Sequence, residues 1–554
     1  MKELSGLDGA FLSLETEATP MHVGSLHLFE PSPRYKRDFR DDVKQMIASR
    51  LHLAPIFRQR LAQMPLNFAN PLWIDDDVDL DFHIRRVILP TPGTLRQLQD
   101  TVAELHERLL DRARPLWMLY VFEGMGDGRK AYYIKVHHAL LDGQAGAALA
   151  ATLFDLSPKP SRPRARAAPA RDAEPGALAM AAAAFRHDAA QYVKLARSLP
   201  HVVRTLAGMV LGGKDKAAEP KISTKGDLWR NASFGPRTAL NVTITPERSF
   251  AATSLPFAEV KAIARAQEAT INDVVLALCS GALRRYLGRH GGLPKKPLMA
   301  TMPISLRDPG NKDFTTQATL SLVSLATNVA NPLKRLEASR ASAGATKSVA
   351  KSARSIIPTD FPSIGGPWIL GALAALYGRT RAANVIPPLA NVVISNVPGP
   401  PVPLYVAGAR MTDYWPLSIV EHGVGLNITL MSYAGSLGVG FTAAQCAVPK
   451  AQELVDDFVA AFDELKRAAL SPPRLLAVEE NAPEAPAKTA GKPRPAARRK
   501  PAAKTAPQKA ASSAKPAKPA KKTKSVKTAK PAKPARAAAK PARASARRKV
   551  SANV

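Results

Sequence analysis

From about residue 471 onward the chain has almost nothing with which to build a core. Repeats such as KPAKPAKKTK and KPAKPARAAAKPARASARRK replace the large apolar residues. A segment this poor in apolar side chains cannot offset the entropy of ordering, so it is expected to be disordered. Residues 485–554 carry 22 Lys and Arg and no Asp or Glu. They account for most of the net charge of +33 and leave +11 for residues 1–484. The basic character therefore belongs to a tail. Any fold must be built from roughly the first 470 residues, enough for two to four domain-sized units in the whole 554-residue chain.

Cys279 and Cys446 are the only cysteines. Two, far apart in sequence, make neither a disulfide framework nor a zinc spacing, and fit a reducing, cytosolic setting. The opening MKELSGLDGAFLSLE has early acids and no apolar core of a leader, so no signal peptide is expected. No run reaches the roughly 18–20 apolar residues of a spanning helix. The nearest, WILGALAALYG at 368–378, is too short.

Residues 1–157 read as mixed α/β. HVGSLHLFE (22–30) alternates like a strand, and residues 37–55 and 95–112 have helical apolar spacing, the first closed by Pro55. LWMLYVFEG and KAYYIKVHH flank MGDGR as a hairpin, and GQAGAALAATLFDL reads as a helix. A Pro/Arg/Ala linker over 158–175 breaks the pattern, and 176–212 looks helical with basic residues on one face. That helix either packs as a bridge, within a 158–235 connection, or lies on anionic lipid. A second α/β unit spans 236–470. It has helices at 256–268, 271–288 and 451–470 and strand-like runs LMATMPISL, LANVVISNV and VGLNITLMSYAGSLGVGFTA. Two halves of similar content suggest a pseudo-dimer with a cleft between them, a natural place for a substrate.

One stretch carries chemistry: YYIKVHHALLDG, 132–143. Neighbouring side chains on a strand point to opposite faces, so His137 and His138 are poorly placed to share a metal ion, and no other ligands stand at metal spacing. Two readings remain. Asp142 could cap a helix beginning at Gly143, with the histidines as core residues. Alternatively, a neutral imidazole at a strand end could act as a general base, with Gly143 permitting a tight turn. Alternation groups His138 with Tyr132, Ile134 and Val136, and His137 with Tyr133 and Lys135.

HHALLDG matches HHxxxDG, and the chain thereby resembles the coenzyme A-dependent acyltransferase superfamily, which includes the condensation domains of peptide synthetases. Further segments narrow the resemblance to bacterial wax ester synthase/diacylglycerol acyltransferases. These are LSGLDGAFLSLETEATPMHVGSLHLFE, RLHLAPIFRQRL, RPLWMLYVFEG, ATINDVVLALCSGALRRYL, MPISLRD and NVVISNVPGPPVPLYVAGARM. They agree in order over about 1–470, apart from the linker.

The resemblance implies two chloramphenicol-acetyltransferase-like halves forming a pseudo-dimer with a central channel, the first half, 1–157, carrying the motif. It implies transfer of an acyl group from long-chain acyl-coenzyme A to a diacylglycerol or a fatty alcohol, giving triacylglycerol or wax ester, with no cofactor and no metal. His138 is then the general base, with no covalent intermediate, and His137 is secondary or bracing. Asp142 becomes a structural partner for an arginine, with Arg307 as candidate; left unpaired, a buried Asp would cost about 3–5 kcal/mol. Asn272 is placed near the site, and Asp273 mainly caps a helix from Thr270. Pro115, Leu116 and Trp117 shape the core or an acyl channel. Ser395 or Asn396 either helps to bind an oxyanion or belongs to a strand-ending turn. PSIGGPWILGALAALYG (362–378) is a candidate channel wall or membrane-dipping patch.

The expected location is cytoplasmic, peripherally associated with a membrane or lipid inclusions. The tail fits an anionic membrane or lipid-inclusion surface, non-specific nucleic-acid contact, or no partner at all. Two other functions compete: a condensation-type enzyme acting on carrier-bound thioesters, and a non-catalytic nucleic-acid-binding or scaffold protein. A pure scaffold has no need of His138, Asp142 and Gly143.

Overall fold

The structure, a computed structural model, describes residues 2–140, 146, 153–161, 172–211, 234–305, 318–353 and 363–471. The tail, most of the predicted helix after Asp142–Gly143 (all but residues 146 and 153–156) and Arg307 lie outside the described residues. In chain order the strands are β1 Lys2–Glu3, β2 His22–Glu30, β3 Gln59–Ala62, β4 Leu72–Asp75, β5 Ile84–Ile88, β6 Trp117–Glu123, β7 Lys130–His137, β8 Arg248–Pro256, β9 Met299–Ser305, β10 Ala318–Ser324, β11 Val392–Val397, β12 Tyr405–Val406, β13 Ala409–Leu417, β14 Leu426–Tyr433 and β15 Ser436–Ala444. The helices are α1 Gly6–Leu14, α2 Phe39–Arg50, α3 Leu80–His83, α4 Leu95–Glu107, α5 Ala177–Leu211, α6 Phe257–Ala266, α7 Ile271–Arg289, α8 Pro332–Ala353, α9 Gly366–Arg379 and α10 Ala451–Leu470.

The fold is mixed α/β. One six-stranded sheet has the order β12-β13-β2-β7-β6-β5, another β10-β9-β11-β14-β15-β8, and a small sheet has β1-β4-β3. The local signals explain most elements. Thr94 and Gln97 form a reciprocal capping box that starts α4, and Asp38 caps α2. α4 ends at Glu107 rather than running on to 112, and the buried Lys135 ammonium donates to the carbonyl oxygens of Leu105 and Arg108 at that terminus. From Asp273 to Leu283 α7 is buried on every side, and only its last turns, with Arg285, Gly288 and Arg289, reach solvent. It packs against α8 and α10 in the largest core cluster.

The sequence reading does not anticipate the crossing of β12 and β13. These strands come late in the chain yet complete the sheet built by the N-terminal strands. β13 pairs antiparallel with β2, Tyr414 opposite His27 and Leu417 opposite Gly24. The reason is burial: Leu26, Leu28 and Phe29 of β2 are fully buried, and an edge strand of that character cannot be left open to water. β13 also lies against β15. A Cβ added at Gly438 would fall 2.2 Å from the carbonyl oxygen of Tyr414, and one at Gly440 1.9 Å from that of Pro416. Glycine is needed at both positions for the two sheets to approach this closely. A core cluster with residues of β2, α4, β8 and β13, among them Leu28, Leu98, Phe250 and Trp415, fills the junction.

Gly440→Val should therefore destabilise the protein by about 1–3 kcal/mol or more through overpacking. Gly288→Ala, in α7 with nothing within 4 Å of the added Cβ, should be neutral or stabilising by up to about 1 kcal/mol. Thermal and urea melts of the two variants check the contrast.

Candidate active site

β7 and the turn that follows organise the site. Tyr132, Ile134, Val136 and His138 all line one cavity of about 800 Å³. Tyr133, Lys135 and His137 point the other way and are almost fully buried. The second sheet supplies the opposing wall with Val393, Ser395, Val397, Thr429 and Met431, and α1 adds Leu7 and Phe11. The lining is mainly apolar with a few polar groups, as expected of a small-molecule site.

His138 is held in two ways. Its backbone N–H donates to the Met21 carbonyl at 2.8 Å, and its ring stacks on Phe11 with centroids 4.1 Å apart and planes 20° apart. His137 begins the turn: its carbonyl accepts the Leu140 N–H at 2.9 Å. Its Nδ1 accepts the Ala139 N–H at 3.1 Å, which places the proton of a neutral ring on Nε2, 3.4 Å from Glu15 Oε1. Glu15 is a buried carboxylate. It also accepts the Met21 N–H at 2.9 Å and an Arg112 N–H at 2.8 Å. Burial works to raise its pKa, but its contacts with His137, Met21 and Arg112 hold it at about 2. Through Met21 and His137, Glu15 grips both strands that carry the turn.

Behind β7 lies a buried polar layer. His106 Nδ1 meets the Tyr133 hydroxyl at 2.5 Å, and His22 Nε2 contacts the His106 carbonyl. Burial, then the Lys135 charge, pushes the His106 imidazole down to about 3. Burial and the neighbouring Arg108 charge bring Lys135 down to about 7.

The predicted residues divide clearly. His138, Ser395 and Asn396 meet at the cavity, the last two at the end of β11. Asn272, second residue of α7, does not line it, and its side-chain nitrogen is buried without a hydrogen-bond partner among the described residues. Asp273 and Thr270 form a reciprocal capping box. Pro115, Leu116 and Trp117 are buried core residues, with Trp117 Nε1 donating to the Phe57 carbonyl at 2.9 Å and its ring stacked on His83. Asp142, Gly143 and Arg307 lie outside the described residues.

Sequence reasoning missed Glu15, which carries no local signal, since nothing near it marks it as buried. It also missed His27, a second imidazole at the cavity wall. Alternation along β2 could have flagged that residue. His27 Nε2 lies 2.6 Å from Ser25 Oγ, and the rings of Tyr132 and Tyr414 crowd it. Burial lowers its pKa to about 3, so it stays neutral. Toward another part of the wall, burial raises the Glu421 carboxyl, and His422 Nδ1 accepts the Ile244 N–H.

The Wax ester synthase/diacylglycerol acyltransferase catalytic domain matches residues 4–275, and the corresponding C-terminal domain matches 316–466. A putative diacylglycerol O-acyltransferase of Mycobacterium tuberculosis is 37% identical over 467 residues, covering 84% of this chain and 99% of that protein. An O-acyltransferase of Acinetobacter baylyi is 36% identical, covering 82% and 95%. The wax ester synthase/diacylglycerol acyltransferase from Marinobacter aquaeolei VT8 superposes with a TM-score of 0.60 at 29% identity, covering 85% of this chain and all of that one. With matches of this extent over the two sheets and the cavity between them, the chain belongs to the wax ester synthase/diacylglycerol acyltransferase family.

Proposed function

We propose that this protein transfers a long-chain acyl group from acyl-coenzyme A to the hydroxyl of a diacylglycerol or a fatty alcohol, making triacylglycerol or wax ester without a cofactor. The observation that carries this reading is His138 on the wall of a largely apolar cavity between two sheets, its ring stacked on Phe11. The relatives named above are acyltransferases by description. The two six-stranded sheets fit a reading as two related acyltransferase halves, with the cavity as the central channel.

In this mechanism the His138 imidazole accepts the acceptor's hydroxyl proton as its oxygen attacks the thioester carbonyl. The tetrahedral oxyanion that results lies within a wall carrying Ser395 and Asn396, whose donors are assigned to stabilise it. Collapse expels the coenzyme A thiolate, and the imidazolium returns the proton to sulfur. Direct transfer needs no protein nucleophile. Cys279 is buried inside α7 with its thiol pushed far above the usual range by burial, and Cys446 is not on the cavity wall. Glu15 acts by positioning: it orients His137 and the Met21 strand, and through them the turn bearing His138. Asp142 paired with Arg307 completes the turn on the same reading. The basic tail is assigned to anionic lipid or inclusion surfaces, with nucleic acid as the other polyanion its charge would accept.

His138→Ala should lower ester formation by about 10²–10⁴-fold while leaving the circular dichroism and melting temperature unchanged. The assay offers long-chain acyl-coenzyme A with hexadecanol and with dioleoylglycerol in parallel, which also ranks the two acceptors; wild-type rates in the variant would sink the mechanism.

Glu15→Gln should lower kcat more than it raises KM, and should cost about 3 kcal/mol at neutral pH if the full shift of Glu15 is lost. Because folding lowers the Glu15 pKa from 4.5 to about 2, its stabilisation is complete above about 4.5. It is lost as pH falls through about 2. The Gln variant should lack that acid-side slope in urea melts taken across this range.

A further inference from the structure

The cavity opens beside an apolar surface that the acyltransfer step does not use. α9 has no buried residue, and it exposes Trp368, Ile369, Leu373 and Leu376. Its other side rests on α1, where Gly371 lies within 3.7 Å of the Ser13 carbonyl as judged from an added Cβ. α1 is the helix whose Phe11 stacks on His138. Tyr377 of α9 lines the cavity, as do Ile386 and Leu389, which are themselves more than half exposed. The exposed face thus continues into the mouth of the site.

α5 extends the same surface. One side packs Met180, Ala183 and Ala184 against the small sheet. Leu178, Phe185 and Tyr192, seven residues apart, form an outward stripe and are 88, 59 and 60% exposed. Phe68 links the two helices, with ring centroids 6.0 Å from both Phe185 and Trp368. The join is rigid. Asp188, buried on α5, accepts the backbone N–H groups of Ser363 and Ile364 just before α9, at 2.7 and 2.9 Å. Trp368 Nε1 donates to the carbonyl of Leu66 at 2.8 Å. Leu66 is 87% exposed and sits at φ 57°, a conformation disfavoured for leucine, with its side chain in water.

The exposed charges on these helices have one sign among the described residues. α9 contains no acid and ends at Arg379, followed by Arg381, both exposed. The only acid of α5 is Asp188, which the contacts above consume, whereas Arg186 and Arg197 are exposed. An apolar face of Trp, Phe and Leu rimmed by arginines matches the interfacial zone of an anionic phospholipid membrane.

We propose that the outer faces of α5 and α9, with Leu66, form a docking surface for an anionic phospholipid membrane, so that an apolar acceptor passes from the lipid past Ile386 and Leu389 to His138. The delivery of acceptor rests on the acyltransferase reading; docking itself does not, and is tested without turnover.

The full-length protein is mixed with phosphatidylcholine–phosphatidylglycerol vesicles containing brominated lipid, and tryptophan emission is compared with that of Trp368→Phe. Trp73, Trp117 and Trp415 are buried, so they are shielded from the bromines, and Trp229, the fifth tryptophan, is replaced by Phe in both proteins compared. The expected result is strong quenching in the wild type that is largely lost in Trp368→Phe. Phe185→Asp and Leu373→Asp should each weaken vesicle partitioning in flotation by about tenfold, at high salt where the tail's attraction is screened. Both side chains are exposed and off the cavity wall, so melting temperature and turnover of water-soluble short-chain substrates should be unchanged. Equal quenching in the wild type and Trp368→Phe, or wild-type flotation of both Asp variants, would mean that another surface or the tail does the binding, and overturns the proposal. So would a dimer that these substitutions dissociate while vesicle binding persists.

Discussion

The close approach of β13 to both β2 and β15 is the constraint on which the rest of the structure depends. Along one edge β13 completes the sheet that bears His138. Along its face it meets β15, where Gly438 and Gly440 leave no side chain in the way. Move the strands apart and the buried edge of β2 is exposed; close them further and backbone meets backbone. The cavity is what remains between two sheets held at this separation. Its walls can therefore be largely apolar and still not collapse.

Within that frame, β7 separates two chemistries by strand alternation alone. One face offers Tyr132, Ile134, Val136 and His138 to the cavity. The other sends Tyr133, Lys135 and His137 into a buried polar layer whose groups are tied to helix-end carbonyls, to one another and to Glu15. That layer holds the strand end rigid at considerable desolvation cost. A general base works best when its ring is already placed, and a stiff support behind the strand is a direct way to achieve this. Under the docking proposal, the arginine-rimmed face of α5 and α9 would complement the arrangement, because an acceptor that partitions into lipid would not have to cross water to reach such a cavity.

Much of this was legible from residue order. Hairpin signals around MGDGR marked β6 and β7, and Thr270 with Asp273 marked the start of α7. The period of two assigns His137 and His138 to opposite faces. These are local facts, decided by backbone geometry within a few residues. Glu15 was not legible, because its burial depends on Arg112 and His137, both about a hundred residues away. Asn272 was expected near the site and instead sits off the cavity wall, since the direction of a side chain at a helix start depends on what the helix packs against. The bridging helix was read either as packed or as lipid-facing. One of its faces packs on the small sheet and another, with Leu178, Phe185 and Tyr192, is exposed, a distinction visible only once the small sheet is in place.

By itself the sequence determined the alternation that sends one histidine to the cavity and its neighbour to the opposite side, the caps that begin the helices, and the break in composition near residue 471. It also determined the family, through motifs that keep their order along the chain. Tertiary structure alone decided that a late strand completes the early sheet, that Glu15 stands behind the histidine turn, and that a short apolar run becomes an exposed face beside the cavity mouth. The physical reason is range. Alternation and capping act between residues adjacent in the chain, whereas burial and pairing act between surfaces that meet only when the chain has closed on itself.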